Sequence, residues 1–240
     1  MYEVLFTKIQ EAKFDIIVCG YDVNSDKKIA EWKPVEMVCD HNYSLTSLID
    51  GRINNNVWNK LYSKELLQKS RINGVLFPES KNYEDVAVMH RIIDKAKSVA
   101  IKSEVLYHYR IRSGSITKNY TVKNLMDYAD ARLDRYYYFR NEYPELYKGK
   151  KDKLSLFAVY GIYEVWRWWY GCKVEEKQGY INKINELLTF VKDNIPLFGY
   201  SSWPNYMRLS VLFLHSSSNL IFFILYALNQ AFRKLWPEKA

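Results

Sequence analysis

Hydrophobic spacing in the first half of the chain switches between helical and strand periods over short distances. Val4, Leu5, Ile9 and Ala12 recur at three- and four-residue steps through Lys13, which predicts a helix. It runs into Asp15-Ile16-Ile17-Val18-Cys19-Gly20-Tyr21, an apolar, β-branched run closed by the polar Asp22-Val23-Asn24-Ser25-Asp26. Such a run predicts a strand buried on both faces of a parallel sheet. A helix feeding straight into a buried strand is half of an α/β unit. The strand that should precede the helix is missing, so the architecture is expected to begin upstream of Met1. Residues 29–38 read as a second extended segment and 43–50 as a short helix. A polar turn, Asp50-Gly51-Arg52-Ile53-Asn54-Asn55-Asn56, leads to Val57-Trp58-Asn59-Lys60-Leu61-Tyr62, and Ser63 is placed to cap a helix over 64–69. Residues 74–78 are predicted extended and stopped by Pro78. A helix then opens at Asn82-Tyr83-Glu84-Asp85 and runs to about Lys97, with Val86, Met89, Ile93 and Ala96 on one face. Strands are predicted at 99–101 and 105–112, with a turn at Ser113-Gly114-Ser115-Ile116-Thr117.

From Val122 onward no strand-like alternation appears. The remainder predicts three or four helices broken at Pro144, Gly171, Gly179 and Pro196. The expected fold class is therefore α/β with a mixed sheet over 1–119, followed by an all-helical region over 120–240. Within the latter, 209–232 contains no Lys, Arg, Asp or Glu and is flanked by Arg208 and Arg233-Lys234, with Trp203 and Trp236 outside. The run His215-Ser216-Ser217-Ser218-Asn219 would put consecutive polar groups at a bilayer centre, which argues against a span. An interfacial helix, a buried helix and a spanning helix all stay open for this stretch, the interfacial one favoured. The aromatic run 159–170 fits either a membrane-surface belt or a helix–helix seam.

Composition narrows these readings. The 240 residues hold 35 Lys and Arg against 27 Asp and Glu, a net charge of +8, and 48% are hydrophobic, which excludes wholesale disorder. Three cysteines, Cys19, Cys39 and Cys172, are too few and too spread for a disulfide scaffold and fit a reducing, cytoplasmic compartment. The N-terminus has no long apolar run of the secretory kind. Residues 1–120 carry 18 basic and 15 acidic side chains and 121–240 carry 17 and 12, so the excess leans toward the tail, as attraction to anionic lipid requires. Basic residues are interspersed with acids and form no stripe, so nucleic acid is not an expected partner.

Taken singly, the chemistry-bearing residues have structural explanations. Glu84 and Asp85 in a first helical turn complement the helix dipole. Trp58 reads as a buried aromatic, and Arg110 and Arg112 alternate on a solvated strand face. His41, His90, His108 and His215 lack metal-ligand spacing.

As an ordered set they say more. The strand 15–21, then Trp58-Asn59-Lys60-Leu61-Tyr62, then Phe77-Pro78-Glu79 with Tyr83-Glu84-Asp85, then Leu106-Tyr107-His108-Tyr109-Arg110-Ile111-Arg112-Ser113-Gly114-Ser115-Ile116 resembles the second half of bacterial family 2 glycosyltransferases. These are GT-A enzymes that build capsular polysaccharide, lipopolysaccharide and other exopolysaccharides. The resemblance covers about residues 1–118. It implies that Asp85 is the general base toward the acceptor hydroxyl and that Glu84 supports it, with inversion at the anomeric carbon. It further implies that Trp58 and Lys60 line the acceptor side, and that His108, Arg110, Arg112 and Ser115 belong to a loop closing over the donor diphosphate, which guanidinium groups match bidentately. The family's nucleotide-binding half, with an Asp-x-Asp motif holding Mn2+ or Mg2+, has no counterpart here. The expectation is a partial GT-A domain with a helical tail, peripheral at the inner face of the cell membrane through 203–236. In the intact enzyme a UDP-sugar would be transferred to a growing glycan or lipid-linked acceptor, and the chain alone would have little activity. The rival reading is a non-catalytic, split or decayed transferase acting as a partner subunit. A sheet edge left open by the missing strands would favour self-association.

Overall fold

The computed structural model describes residues 1–25, 28–111, 121–169 and 172–216. Arg112, Ser115 and the tail from 217 to 236 lie outside the described residues. The chain divides into two compact units, 1–119 and 120–240. The first is α/β and the second is helical.

In the first unit, helix α1 (Tyr2–Ala12) leads into strand β1 (Ile16–Ser25). Leu5 is fully buried and packs with Ile17, Cys19 and Ala100, whereas Val4 is exposed. The extended segment expected at 29–38 divides into β2 (Lys28–Trp32) and β3 (Met37–Asp40), separated around Pro34. Helix α2 (His41–Ile49) is capped by the Asp40 carboxylate, which accepts from the Tyr43 N–H at 2.8 Å. Next come β4 (Lys60–Tyr62), α3 (Lys64–Lys69), α4 (Glu84–Lys95) and β5 (Ser98–Arg110). Ser63 caps α3 as its position predicts, accepting from Leu66 N–H at 3.2 Å. The two strands expected after α4 form one long strand, β5. Residues 74–78 make no strand, and Ile72 and Val75 form only an isolated bridge.

The sheet is mixed. β1 runs parallel to β5, antiparallel to β2 along its second half and antiparallel to β4 along its first, and β3 pairs antiparallel with the start of β5. Residues 16–19 of β1 are fully buried, as a continuous apolar run requires. The register of β1 on β5 shifts on both sides of Gly20. A Cβ at Gly20 would lie 2.9 Å from Trp32 O and 3.0 Å from Glu104 O, so only glycine fits this irregularity. Beyond it Tyr21 faces Tyr107 and Val23 faces Tyr109.

In the second unit, α5 (Val122–Glu142) and α6 (Pro144–Trp169) form an antiparallel pair, since Ala129 approaches Gly161 while Arg132 reaches Phe157. Pro144 opens α6 at the first helical position, where its missing N–H costs nothing. Helices α7 (Val174–Gln178), α8 (Ile181–Asn194) and α9 (Asn205–Ser216) follow. The aromatic run turns inward: Val159, Ile162, Tyr163, Val165 and Trp166 are buried, so this part of it is a seam. Trp203, expected as an interfacial anchor, is also buried, and its indole N–H donates to Asp152 O at 2.9 Å. Among the described residues no helix is long and apolar enough to cross a membrane.

Candidate functional site

The first unit gathers its chemistry where the second half of β1, the residues around β4 and the start of α4 meet. The shift at Gly20 sets Tyr107 and Tyr109, alternate residues of β5, on one face of the sheet. Trp58 lies across both rings, stacked on Tyr107 at 4.5 Å and on Tyr109 at 5.1 Å. Tyr21 meets the indole edge-on at 4.8 Å and stacks on Trp32 at 5.4 Å. Asn59 fixes the indole's place, because its side-chain amide donates to Cys19 O at 2.7 Å while Cys19 N–H donates to Asn59 O at 3.0 Å. The result is a shelf of half-buried aromatic rings with polar hydroxyl edges.

Lys60 follows immediately and is 4% exposed. Its ammonium donates to Asn54 Oδ1 at 2.6 Å, to Asn59 Oδ1 at 3.0 Å and to Asn56 O. The asparagine-rich segment that reads as a turn is therefore also a cradle of oxygens, matched to the three donors of a lysine. Burial pulls the Lys60 pKa down to about 7, against the opposing pull of the Asp85 and Cys19 charges. Tyr62 senses the same carboxylate: burial first, and then the Asp85 charge, push its hydroxyl pKa up.

Asp85 sits in the first turn of α4. Tyr83 precedes the helix in the left-handed region, at φ 58°, and supplies no side-chain cap. The Asp85 carboxylate accepts the Val86 N–H at 2.7 Å, so it satisfies a terminal donor while remaining half-buried. Glu84 is exposed. Asp15, far away in sequence, ties the frame together: its carboxylate accepts the Lys97 N–H at 2.7 Å, and its carbonyl accepts the Ser63 N–H at 2.8 Å.

The Asp85 charge is felt at Lys60, and Trp58 stands two residues before Lys60 in the chain. It does not bring His108 or Arg110 to the shelf. Both alternate with Tyr107 and Tyr109 and occupy the opposite face of β5, where the exposed His108 pairs with Asp22 at 2.7 Å. Sequence reasoning gave no role to Tyr21, Tyr107, Tyr109 or the cradle residues Asn54, Asn56 and Asn59. Alternating tyrosines on a predicted strand were the available signal for the shelf. Among the described residues no group of three or more His, Cys, Asp or Glu is arranged to hold a metal ion.

No protein-family model matches the chain. It is 27% identical over 156 residues to a Bacillus subtilis protein named "Putative glycosyltransferase EpsH", a match covering 60% of this chain and 43% of that protein. It is 26% identical over 125 residues to "Glycosyltransferase GlyG" of Streptococcus pneumoniae serotype 4, covering 49% and 41% respectively. The chain spans less than half the length of these relatives. Both relatives are named glycosyltransferases, and each match covers only part of that protein.

Proposed function

We propose that residues 1–119 are the acceptor-binding, base-bearing half of an inverting GT-A glycosyltransferase of family 2, which transfers a sugar from a nucleotide-sugar such as a UDP-sugar to a growing cell-surface glycan. The observation that supports this reading is a half-buried Asp85 in the first turn of α4, whose charge is felt at Lys60, two residues beyond the Trp58 of an aromatic shelf of the kind that stacks on sugar rings. In the reaction, Asp85 takes the proton of the acceptor hydroxyl while that oxygen bonds to the anomeric carbon. The bond from that carbon to the donor diphosphate breaks, and its electron pair leaves with the nucleoside diphosphate. Trp58 offers its ring to the acceptor and orients the attacking hydroxyl. Donor and metal contacts are assigned to a nucleotide-binding half, so the 240 residues assayed by themselves with UDP-sugars and manganese should show little or no transfer. Robust transfer would contradict that division of labour.

The acceptor side is testable on the chain itself. Saturation-transfer NMR with a panel of oligosaccharides should show contact from the aromatic shelf, lost in Trp58→Ala with the fold retained by circular dichroism. Binding unaffected by that change, or absent across the panel, would remove the acceptor assignment.

A further inference from the structure

Beyond Gly20 the register of the sheet lines up side chains in rows that cross three strands. Trp32 of β2, Tyr21 of β1 and Tyr107 of β5 form one row, and Ala30, Val23 and Tyr109 form the next row on the same side. Cross-strand partners share a face and alternate residues return to it, so these six side chains lie on one side of the sheet, and none is charged. The intervening row, Glu31, Asp22 and His108, faces the other way and holds the ionisable groups: His108 pairs with Asp22 at 2.7 Å and Lys33 with Glu31 at 2.8 Å. The shelf at Trp58 is one end of the uncharged face, since that indole covers Tyr107 and Tyr109. Tyr21 and Trp32, stacked at 5.4 Å with their rings 27° apart, continue the face across β1 and β2. Both are half-buried and Ala30 is exposed, so part of this end stays open.

Neighbouring strands lie about 4.8 Å apart, so Trp32 on β2 stands roughly 10 Å across the sheet from the β5 tyrosines that carry Trp58. That separation suits two linked pyranose rings, one against each indole. We propose that Trp32, backed by Tyr21, is a second sugar subsite beside the one at Trp58, and that the acceptor is recognised as a neutral oligosaccharide of at least two sugars. The proposal rests on the acceptor reading of Trp58 given above. A neutral sugar offers its C–H face to the rings and its hydroxyls to the tyrosine edges. An acidic sugar would bring its carboxylate to a face with no counter-charge, at the cost of leaving water.

Sugar length and sugar charge separate the two subsites. Saturation-transfer NMR titrations on the 240-residue chain would compare neutral hexose mono-, di- and trisaccharides with uronic-acid disaccharides. Neutral disaccharides should bind about three- to tenfold more tightly than the matching monosaccharides, the gain expected of one further ring contact. Uronic-acid disaccharides should bind more weakly than neutral ones. Both comparisons use the unmutated protein and need no variant to fold. Trp32→Ala should remove the gain from the second sugar and leave monosaccharide binding at the wild-type level, while Trp32→Phe, which keeps a ring, retains most of it, with circular dichroism checking the fold. Trp58→Ala should abolish binding at every length. Binding lost in Trp58→Ala but indifferent to Trp32→Ala overturns the second subsite and leaves the Trp58 reading standing. Monosaccharides bound as tightly as disaccharides, or acidic sugars as tightly as neutral ones, overturn it too. A gain that depends on Trp32 while Trp58→Ala binds like wild type retires the Trp58 reading alone. No binding anywhere in the panel overturns both.

Discussion

At the scale of single residues, the least ordinary feature of the first unit is a lysine placed in its interior. Burial lowers the Lys60 pKa to about 7, whereas an unfolded lysine titrates near 10.4. Between those values the folded chain holds fewer protons than the unfolded one, so stability rises with pH. The cost of confining the amine is complete below about pH 7 and is relieved above it. Cys19 and Cys39, whose thiols burial pushes up, act in the opposite direction once unfolded thiols ionise near pH 8.5. The urea midpoint should therefore climb from about pH 7 to pH 8.5, and Lys60→Met should flatten the climb. A flat wild-type profile would show that the amine is hydrated. None of this was legible in the sequence, where Trp58-Asn59-Lys60 carried only the order of a motif. A lysine side chain does not declare its burial, and Asn54, Asn56 and Asn59 look like any polar turn. The place of Asp85 in the first turn of a helix was legible because two carboxylates opening an amphipathic helix already mark a terminus.

At the scale of elements, the buried strand β1, capped helix α3 and amphipathic α4 follow from period and punctuation. Ser63 caps α3 in the structure as it does on paper, so Ser63→Ala should cost about 1 kcal/mol by chemical denaturation. The joins were harder to read. β5 continues through Lys102-Ser103-Glu104, a polar stretch that reads as a break but that the shifted pairing with β1 carries across Gly20. Gly20→Ala would press a methyl group against two carbonyl oxygens, disturbing the register that sets Tyr107 and Tyr109 under Trp58. It should lower stability and, if the shelf binds sugar, weaken oligosaccharide binding as well. Gly161 has a comparable place between α5 and α6, where a Cβ would stand 3.0 Å from both Ala129 Cα and Arg132 Cδ. Gly161→Ala should destabilise the helical unit by about 1–3 kcal/mol without changing sugar binding, which separates packing from function. Pairings of this kind depend on residues distant in the chain, so local periodicity could not show them.

At the scale of the whole molecule, the chain divides into an α/β unit and a helical unit. Leu197, Phe198, Tyr206 and Leu209 are exposed in the second unit, and Arg208 Nε donates to Phe198 O at 3.3 Å, which brings a basic side chain among the apolar ones. With Trp203 occupied inside the unit, this patch is the described part of a proposed contact with the cytoplasmic membrane face. Co-sedimentation with anionic liposomes at low salt should be lost in Phe198→Ser combined with Leu209→Ser, while neutral liposomes bind less than anionic ones. Exposed Val35, just before β3, and Val38 within it lie on an edge strand of the sheet and favour pairing between copies, so size-exclusion chromatography should show association that rises with concentration. The proposed role of Asp85 as the base of a glycosyl transfer is tested most directly in the source cell. Asp85→Asn would be introduced at the native gene beside a deletion of that gene and a surface control, Lys64→Ala, with cell-surface glycan quantified by sugar composition and protein abundance held equal. Asp85→Asn should match the deletion, consistent with a loss of about 10²–10⁴-fold in transfer, while the control matches wild type. Wild-type glycan in Asp85→Asn, against a deletion that removes it, would contradict the assignment of the base.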